Sequence, residues 1–324
     1  MTSTCAPPEA RYGRITVHRP LRRRRGRRLV ALAAVVSALV GLAAFAGYRY
    51  LTDDSRRDYL AAGGWPAAGQ AAIVVGDSAP QVGPRQSPAP IASVAKVMTA
   101  YLVLRDHPLA PGEDGFRMRI TEADVRRTEV QRGQDQSLVD VRAGQTLTER
   151  QALLALLLPS ANNVAEFLAR RAAGSVPRFV SWMNVAARAM RMTSTHYADP
   201  SGFDPATVST AADQLRLAQV VARDRTFGEL VATRLARLPV AGLVRNTDAL
   251  LGRDGFVGTK TGSMDAAGGC FMFRARRTLG GRTVDVIGVV LGQPGHNLID
   301  AGLYAAKQLV ERVTARSGTP PTLR

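Results

Sequence analysis

Twenty consecutive uncharged residues, Leu29 to Tyr48 (LVALAAVVSALVGLAAFAGY), divide this chain before any other feature does. At ~1.5 Å per residue a helix of that length crosses the ~30 Å hydrocarbon core of a bilayer, so the run predicts a transmembrane helix. Residues 1–28 ahead of it carry nine arginines against the single acid Glu9. Basic residues on that flank hold it in the cytoplasm, and everything after residue 48 is expected on the far side. Ala44-Phe45-Ala46 also resembles a small-residue cleavage site. Two outcomes follow: a single-pass protein of the cell membrane anchored through 29–48, or secretion after signal-peptide cleavage. The run exceeds the roughly 7–15 apolar residues of a signal peptide, which favours the anchor.

A net charge of +17 would by itself suggest a nucleic-acid partner. Its distribution argues otherwise, because +8 of it lies in the arginine-rich arm before the apolar run. With 6% aromatic residues no stacking platform for bases is evident, and no nucleic acid is expected. Cys5 and Cys270 fall on opposite sides of the anchor, so neither a disulfide nor a cysteine-based metal site is expected.

Beyond a juxtamembrane linker at 49–70, Ala71 to Val75 reads as a buried strand. A helix is expected to open at Ser93, with apolar positions Val97, Met98, Tyr101 and Leu102 at helical spacing. Thr148-Glu149-Arg150-Gln151 is a capping box before Leu153 to Leu158, and Pro159 ends that helix. Further helices are expected near 163–172, 177–190 and 211–222. Three strands at 255–262, 269–276 and 283–291 follow, Gly280-Gly281 marking a hairpin turn. A helix over 297–313 closes the pattern, and the tail 314–324 reads as disordered. The result is an α+β domain over 71–313, an antiparallel sheet flanked by helices. Its first strand can join the late strands only if the all-helical block is an insertion, which leaves a groove between block and sheet edge.

Lysine usage marks the chemistry. Of 43 basic residues only Lys96, Lys260 and Lys307 are lysines. Arginine cannot become a neutral base at ordinary pH, whereas a buried lysine can. Ser93-Val94-Ala95-Lys96 places an amine three residues from a hydroxyl, on one helical face. A serine hydroxyl needs such a base to become a nucleophile. Ser160-Ala161-Asn162 sits in a turn between two helices, where Ser160 read alone is an N-cap. Lys260-Thr261-Gly262 ends a predicted strand whose edge could pair with an extended peptide. There a lysine and a hydroxyl could hold a carboxylate, and Gly262 clears space for substrate backbone. His107, His196 and His296 look like loop residues, and no Gly-x-Ser-x-Gly elbow supports a histidine triad.

In this order, Ser-x-x-Lys, Ser-x-Asn and Lys-Thr-Gly make the chain resemble the penicillin-recognising serine enzymes. The match is closest to the serine D-alanyl-D-alanine carboxypeptidases, the low-molecular-weight penicillin-binding proteins. It is carried by PIASVAKVMTAYLVL, LLLPSANNVAEFLA, DPSGFDPATVSTAAD, NTDALLGRDGFVGTKTG and VIGVVLG, within about residues 70 to 312. The resemblance implies a β-lactamase/transpeptidase-like fold with no metal or organic cofactor. Its implied substrate is a peptidoglycan stem peptide ending in D-Ala-D-Ala, with β-lactam antibiotics as covalent inhibitors. Ser93 would be the acyl-enzyme nucleophile, Lys96 its base and Ser160 a proton relay. Asn162, Lys260, Thr261 and Gly262 would line the substrate site, and the backbone N–H groups of Ser93 and Ser263 would form the oxyanion hole. A β-lactamase, a D,D-endopeptidase and a non-catalytic peptidoglycan-binding scaffold are the alternatives. Met264 stands where many relatives carry a hydroxyl, and no Glu-x-x-x-Asn deacylation motif follows Asn162.

Overall fold

The computed structural model describes residues 64–315, apart from Gly280. The basic arm, the apolar run 29–48, the linker up to residue 63 and the tail from residue 316 lie outside the described residues. No helix among the described residues is long and apolar enough to cross a membrane.

Strand β1 (Gln70–Val75) is followed by β2 (Gln81–Val82), β3 (Ala89–Pro90) and a 3-10 turn, Ala92–Ala95, that runs into helix α1 (Lys96–Asp106). Next come β4 (Arg117–Arg119), α2 (Glu122–Arg132), β5 (Thr146–Thr148), α3 (Glu149–Leu157), α4 (Asn162–Ala173) and α5 (Val176–Ala189). β6 (Val208–Ser209), α6 (Ala211–Val221), α7 (Arg225–Val231), β7 (Leu235–Leu238) and β8 (Gly242–Arg245) lead to the long strands. These are β9 (Phe256–Met264), β10 (Gly268–Leu279) and β11 (Arg282–Gln293), after which comes α8 (Leu298–Ala315).

The main sheet has the order β2-β1-β11-β10-β9. β1 lies antiparallel to β11, with Ala72 opposite Val289 and Val74 opposite Ile287, so the early strand does join the late ones. Period-two alternation then assigns side chains to two cores. Ala72, Val74, Met272 and Val289 face the helical block, while Ala71, Ile73, Phe271 and Phe273 face the layer closed by Leu303, Ala306 and Leu309 of α8. A strand covered on both faces must be apolar at nearly every position, which is why QAAIVV carries no charge. Helix starts are set locally. Thr148 and Thr121 each form a capping box, with Gln151 and Asp124 respectively, so α3 starts where the sequence predicts.

Four expectations need correcting. The inserted block is not all-helical, since it also holds the two-stranded pairs β3-β6, β4-β5 and β7-β8. The linker does not extend to residue 70. Trp65 packs against the core on the α8 side, and Ala68 O accepts a hydrogen bond from the buried Gln293, so residues 64–70 belong to the folded domain. The helix expected at Ser93 starts at Lys96, because Ala92 at φ +45° enters a tighter 3-10 turn first. The last helix continues to Ala315, past the expected start of the tail.

On the α8 side, Phe256, Phe271 and Phe273 pack with ring centroids 5.7–6.3 Å apart. Truncating a fully buried phenylalanine removes its transfer energy and leaves a cavity. Phe273→Ala is therefore expected to lower unfolding free energy by about 3–5 kcal/mol in urea titrations.

Candidate active site

A 3-10 turn eclipses side chains three residues apart, which brings Ser93 and Lys96 together more closely than an α-helix would. Lys96 Nζ donates to Ser93 Oγ at 2.7 Å and to the Ser201 carbonyl at 2.9 Å. The lysine side chain is fully buried. That burial holds its pKa well below the ordinary lysine value, the positive charge of Lys260 pushes it the same way, and Asp199 opposes both.

The Ser201 carbonyl is held in place by a knot around Asp199. Its carboxylate accepts from Ser201 N, Ser201 Oγ, Gly202 N, Phe203 N and Thr207 Oγ1. Thr99 Oγ1 anchors the same loop by donating to Pro200 O at 2.6 Å. A Cβ on Gly202 would lie 1.8 Å from the Ala92 carbonyl, so only glycine allows this loop to close over the Ser93 turn. In the sequence this stretch stands out only as part of a resemblance, which assigns none of these roles. An Asp followed two residues later by Ser-Gly is nonetheless an Asx-turn signal that points to such a loop.

Ser160 occupies the turn between α3 and α4 at φ +66°, where non-glycine residues are uncommon. It is not the N-cap of α4. That position belongs to Ala161, with no side-chain cap bond, because a capping residue needs extended geometry and Ser160 is left-handed and one residue too early. Ser160 Oγ is buried with no hydrogen-bond partner. Asn162 Nδ2 donates to Gln136 Oε1 at 2.7 Å, while Asn162 Oδ1 is buried without a partner.

Lys260, Thr261, Gly262 and Ser263 lie on β9, the edge strand, which continues to Met264 instead of ending at Gly262. Lys260 is buried and donates from Nζ to the Thr261 carbonyl at 2.9 Å. Burial lowers its pKa to about 7, with Asp248 acting in the opposite direction. A Cβ on Gly262 would fall 3.0 Å from Ser93 N and 3.1 Å from Val94 N, so β9 passes directly beside the amides of the serine turn. Thr247, which belongs to none of the three motifs, joins the remaining wall. Its hydroxyl lies 2.6 Å from Thr261 Oγ1, and its N–H donates to Leu158 O at 3.2 Å, next to the Ser160 turn. Ser93, Lys96, Lys260, Thr261 and Gly262 are thus brought together, and the turn carrying Ser160 and Asn162 is tied to the same strand. No hydrogen bond among the described residues joins a histidine to Ser93; His107 instead packs edge-on against Phe116.

The D-alanyl-D-alanine carboxypeptidase family matches residues 68–295, the whole of this arrangement included. The chain belongs to that family. A D-alanyl-D-alanine endopeptidase of Escherichia coli is 31% identical over 192 residues, which is 57% of this chain and 59% of that protein. The chain thus spans about three fifths of that relative's length. A D-alanyl-D-alanine carboxypeptidase of Mycobacterium tuberculosis is 33% identical over 63% of this chain and 67% of its own. The crystal structure of a Streptomyces DD-transpeptidase superposes with a TM-score of 0.66 at 27% identity, covering 77% of this chain and 97% of that one. The α+β architecture of this carboxypeptidase-family domain is the DD-peptidase fold.

Because Gly262 abuts the Ser93 turn, Gly262→Ala should displace the Ser93 hydroxyl without unfolding the protein. Contacts of 3.0–3.1 Å are relieved by a shift of a few tenths of an ångström. Since a misplacement of about 1 Å costs about 10²-fold, this smaller shift should lower reactivity by roughly 3- to 10-fold. Labelling of the protein by a fluorescent penicillin, followed in time, is expected to slow on that scale while the melting curve stays cooperative.

Proposed function

We propose that this domain is a serine D-Ala-D-Ala carboxypeptidase, removing the terminal D-alanine from peptidoglycan stem peptides through an acyl-enzyme on Ser93. The observation that carries the reading is the 2.7 Å contact between the Ser93 hydroxyl and a fully buried amine in a member of this family. Burial favours the neutral amine, and only a neutral amine can accept a proton.

In this reading Lys96 takes the Ser93 proton as Oγ attacks the carbonyl carbon of the penultimate D-alanine. The oxyanion is met by the N–H groups of Ser93 and Ser263. Ser160 passes a proton to the departing nitrogen, the C–N bond breaks and free D-alanine leaves. Water then hydrolyses the ester and regenerates the serine. The Lys260 ammonium and the Thr261 hydroxyl hold the substrate's terminal carboxylate, and Asn162 orients the donor peptide. Ser160 Oγ and Asn162 Oδ1 support this assignment, since buried polar atoms left unpaired by the protein are explained when a ligand completes them. The segment 29–48 tethers the domain to the outer side of the membrane.

A second reading, D,D-endopeptidase, is favoured by the naming of the relatives from Escherichia coli and Pseudomonas aeruginosa. It uses the same acyl-enzyme and differs only in the leaving amine.

Incubated with a diacyl-D-Ala-D-Ala peptide, the protein is expected to release D-alanine, and Ser93→Ala to release none. Undiminished release from that variant would falsify the assignment. A penicillin adduct surviving for many minutes separates this reading from a β-lactamase. Cross-linked muropeptides offered in parallel separate the two leaving groups by their products. Lys96→Arg, which cannot deprotonate at ordinary pH, should lower the acylation rate by roughly 10²–10⁴-fold.

A further inference from the structure

Lys96 and Lys260 are both buried, and the charge of Lys260 acts on Lys96. Two such amines cannot both keep a proton cheaply, since each charge disfavours the other and burial disfavours both. The proposed chemistry needs opposite states from them: Lys96 neutral to take a proton, Lys260 charged to hold a carboxylate. Something must decide which amine keeps the charge. Two carboxylates act on this pair, Asp199 on Lys96 and Asp248 on Lys260. They are not equivalent. Asp199 already accepts five hydrogen bonds from its own loop and Thr207, which disperse its charge. Asp248 is 5% exposed; one oxygen accepts from Leu250 N at 2.9 Å, and the other, Oδ2, is buried with no hydrogen-bond partner.

The segment bearing Asp248 is fixed against β9. Asn246 donates to the carbonyls of Val231 and Thr233 and accepts from Asp248 N at 2.9 Å. Thr247 then meets Thr261, so the Thr247-Asp248 pair lies alongside the Lys260-Thr261 pair. We propose that Asp248 is a positioning residue that keeps the single positive charge on Lys260 and thereby leaves Lys96 neutral as the base. One oxygen of the Asp248 carboxylate is unengaged, so its charge remains available to Lys260, whereas the Asp199 carboxylate that acts on Lys96 is taken up by five hydrogen bonds. Burial raises the Asp248 carboxyl to about 6, while the Leu250 and Leu251 amides and the charge of Lys260 draw it back down.

This inference rests on the function proposed above and is tested by the pH dependence of Ser93 acylation by a fluorescent penicillin. With the unsubstituted protein the rate should rise as Lys96 loses its proton and fall as Lys260 loses its own. Asp248→Asn removes the counter-charge, so Lys260 deprotonates earlier. The alkaline limb should move to lower pH by about one unit, with about tenfold slower acylation on that limb. Asp248→Glu should restore the limb. In a Lys260→Arg background, where the cation cannot be lost, Asp248→Asn should produce no shift. An unmoved limb in the folded Asp248→Asn variant, or a shift that persists when Lys260→Arg is combined with it, overturns the inference. If Asp248→Asn does not fold, the carboxyl carbon of Asp248 in the unsubstituted protein decides by NMR. A titration step coinciding with the alkaline limb supports the pairing, and its absence overturns it. Failure of the unsubstituted protein to acylate at any pH would instead remove the functional reading itself.

Discussion

Burying an amine against a serine hydroxyl is the constraint on which the site depends. A lysine removed from water loses the solvation that normally keeps it charged, and the fold must supply partners for whatever remains. Lys96 receives two of them, the Ser93 hydroxyl and the Ser201 carbonyl, from elements 105 residues apart in the second case. The 3-10 turn, the Asp199 knot and Gly202 are best understood as the scaffold that makes this desolvation tolerable. Each would be unnecessary around an exposed lysine.

The second wall of the site is a sheet edge, and its position follows from packing behind it. β9 is supported by β10 through a continuous register from Gly268 opposite Met264 to Arg274 opposite Gly258. β10 is in turn fixed between the helical core and the phenylalanine cluster under α8. Lys260 therefore rides on a strand gripped from two sides, which suits a residue that must sit in a narrow space beside another buried amine. The helical wall is coupled to this strand by Thr247, a single residue hydrogen-bonded to both.

Much of this was legible in residue types. Lys96 and Lys260 stand out in a chain that otherwise uses arginine, and both are buried in the site, whereas Lys307 lies on α8 in a surface pair with Asp254. The apolar β1 and the capping box at Thr148 encode local preferences strong enough to survive in the fold. What could not be read depends on distant contacts. The left-handed conformation of Ser160 is set by the turn's surroundings, with Ala161 N bonded to Ala155 O and Asn162 N to Ser137 O, so local spacing suggested a cap instead. The importance of Thr247 arises only when β9 and the α3–α4 turn meet, and no pattern within NTDALL announces it.

The pairing of β1 with β11 has a consequence for how the molecule is made. The bond from Gln293 to Ala68 spans 225 positions, so the strand synthesised first waits for nearly the last one before it gains its neighbour. Closing so long a loop slows folding, and an apolar strand left unpaired meanwhile is exposed to other chains. The helical segments between them can form while the chain is still growing. Completion of the cleft between β9 and the Ser93 turn is therefore a late event in folding, and a truncated chain would carry Ser93 and Lys96 without the strand that lies across them.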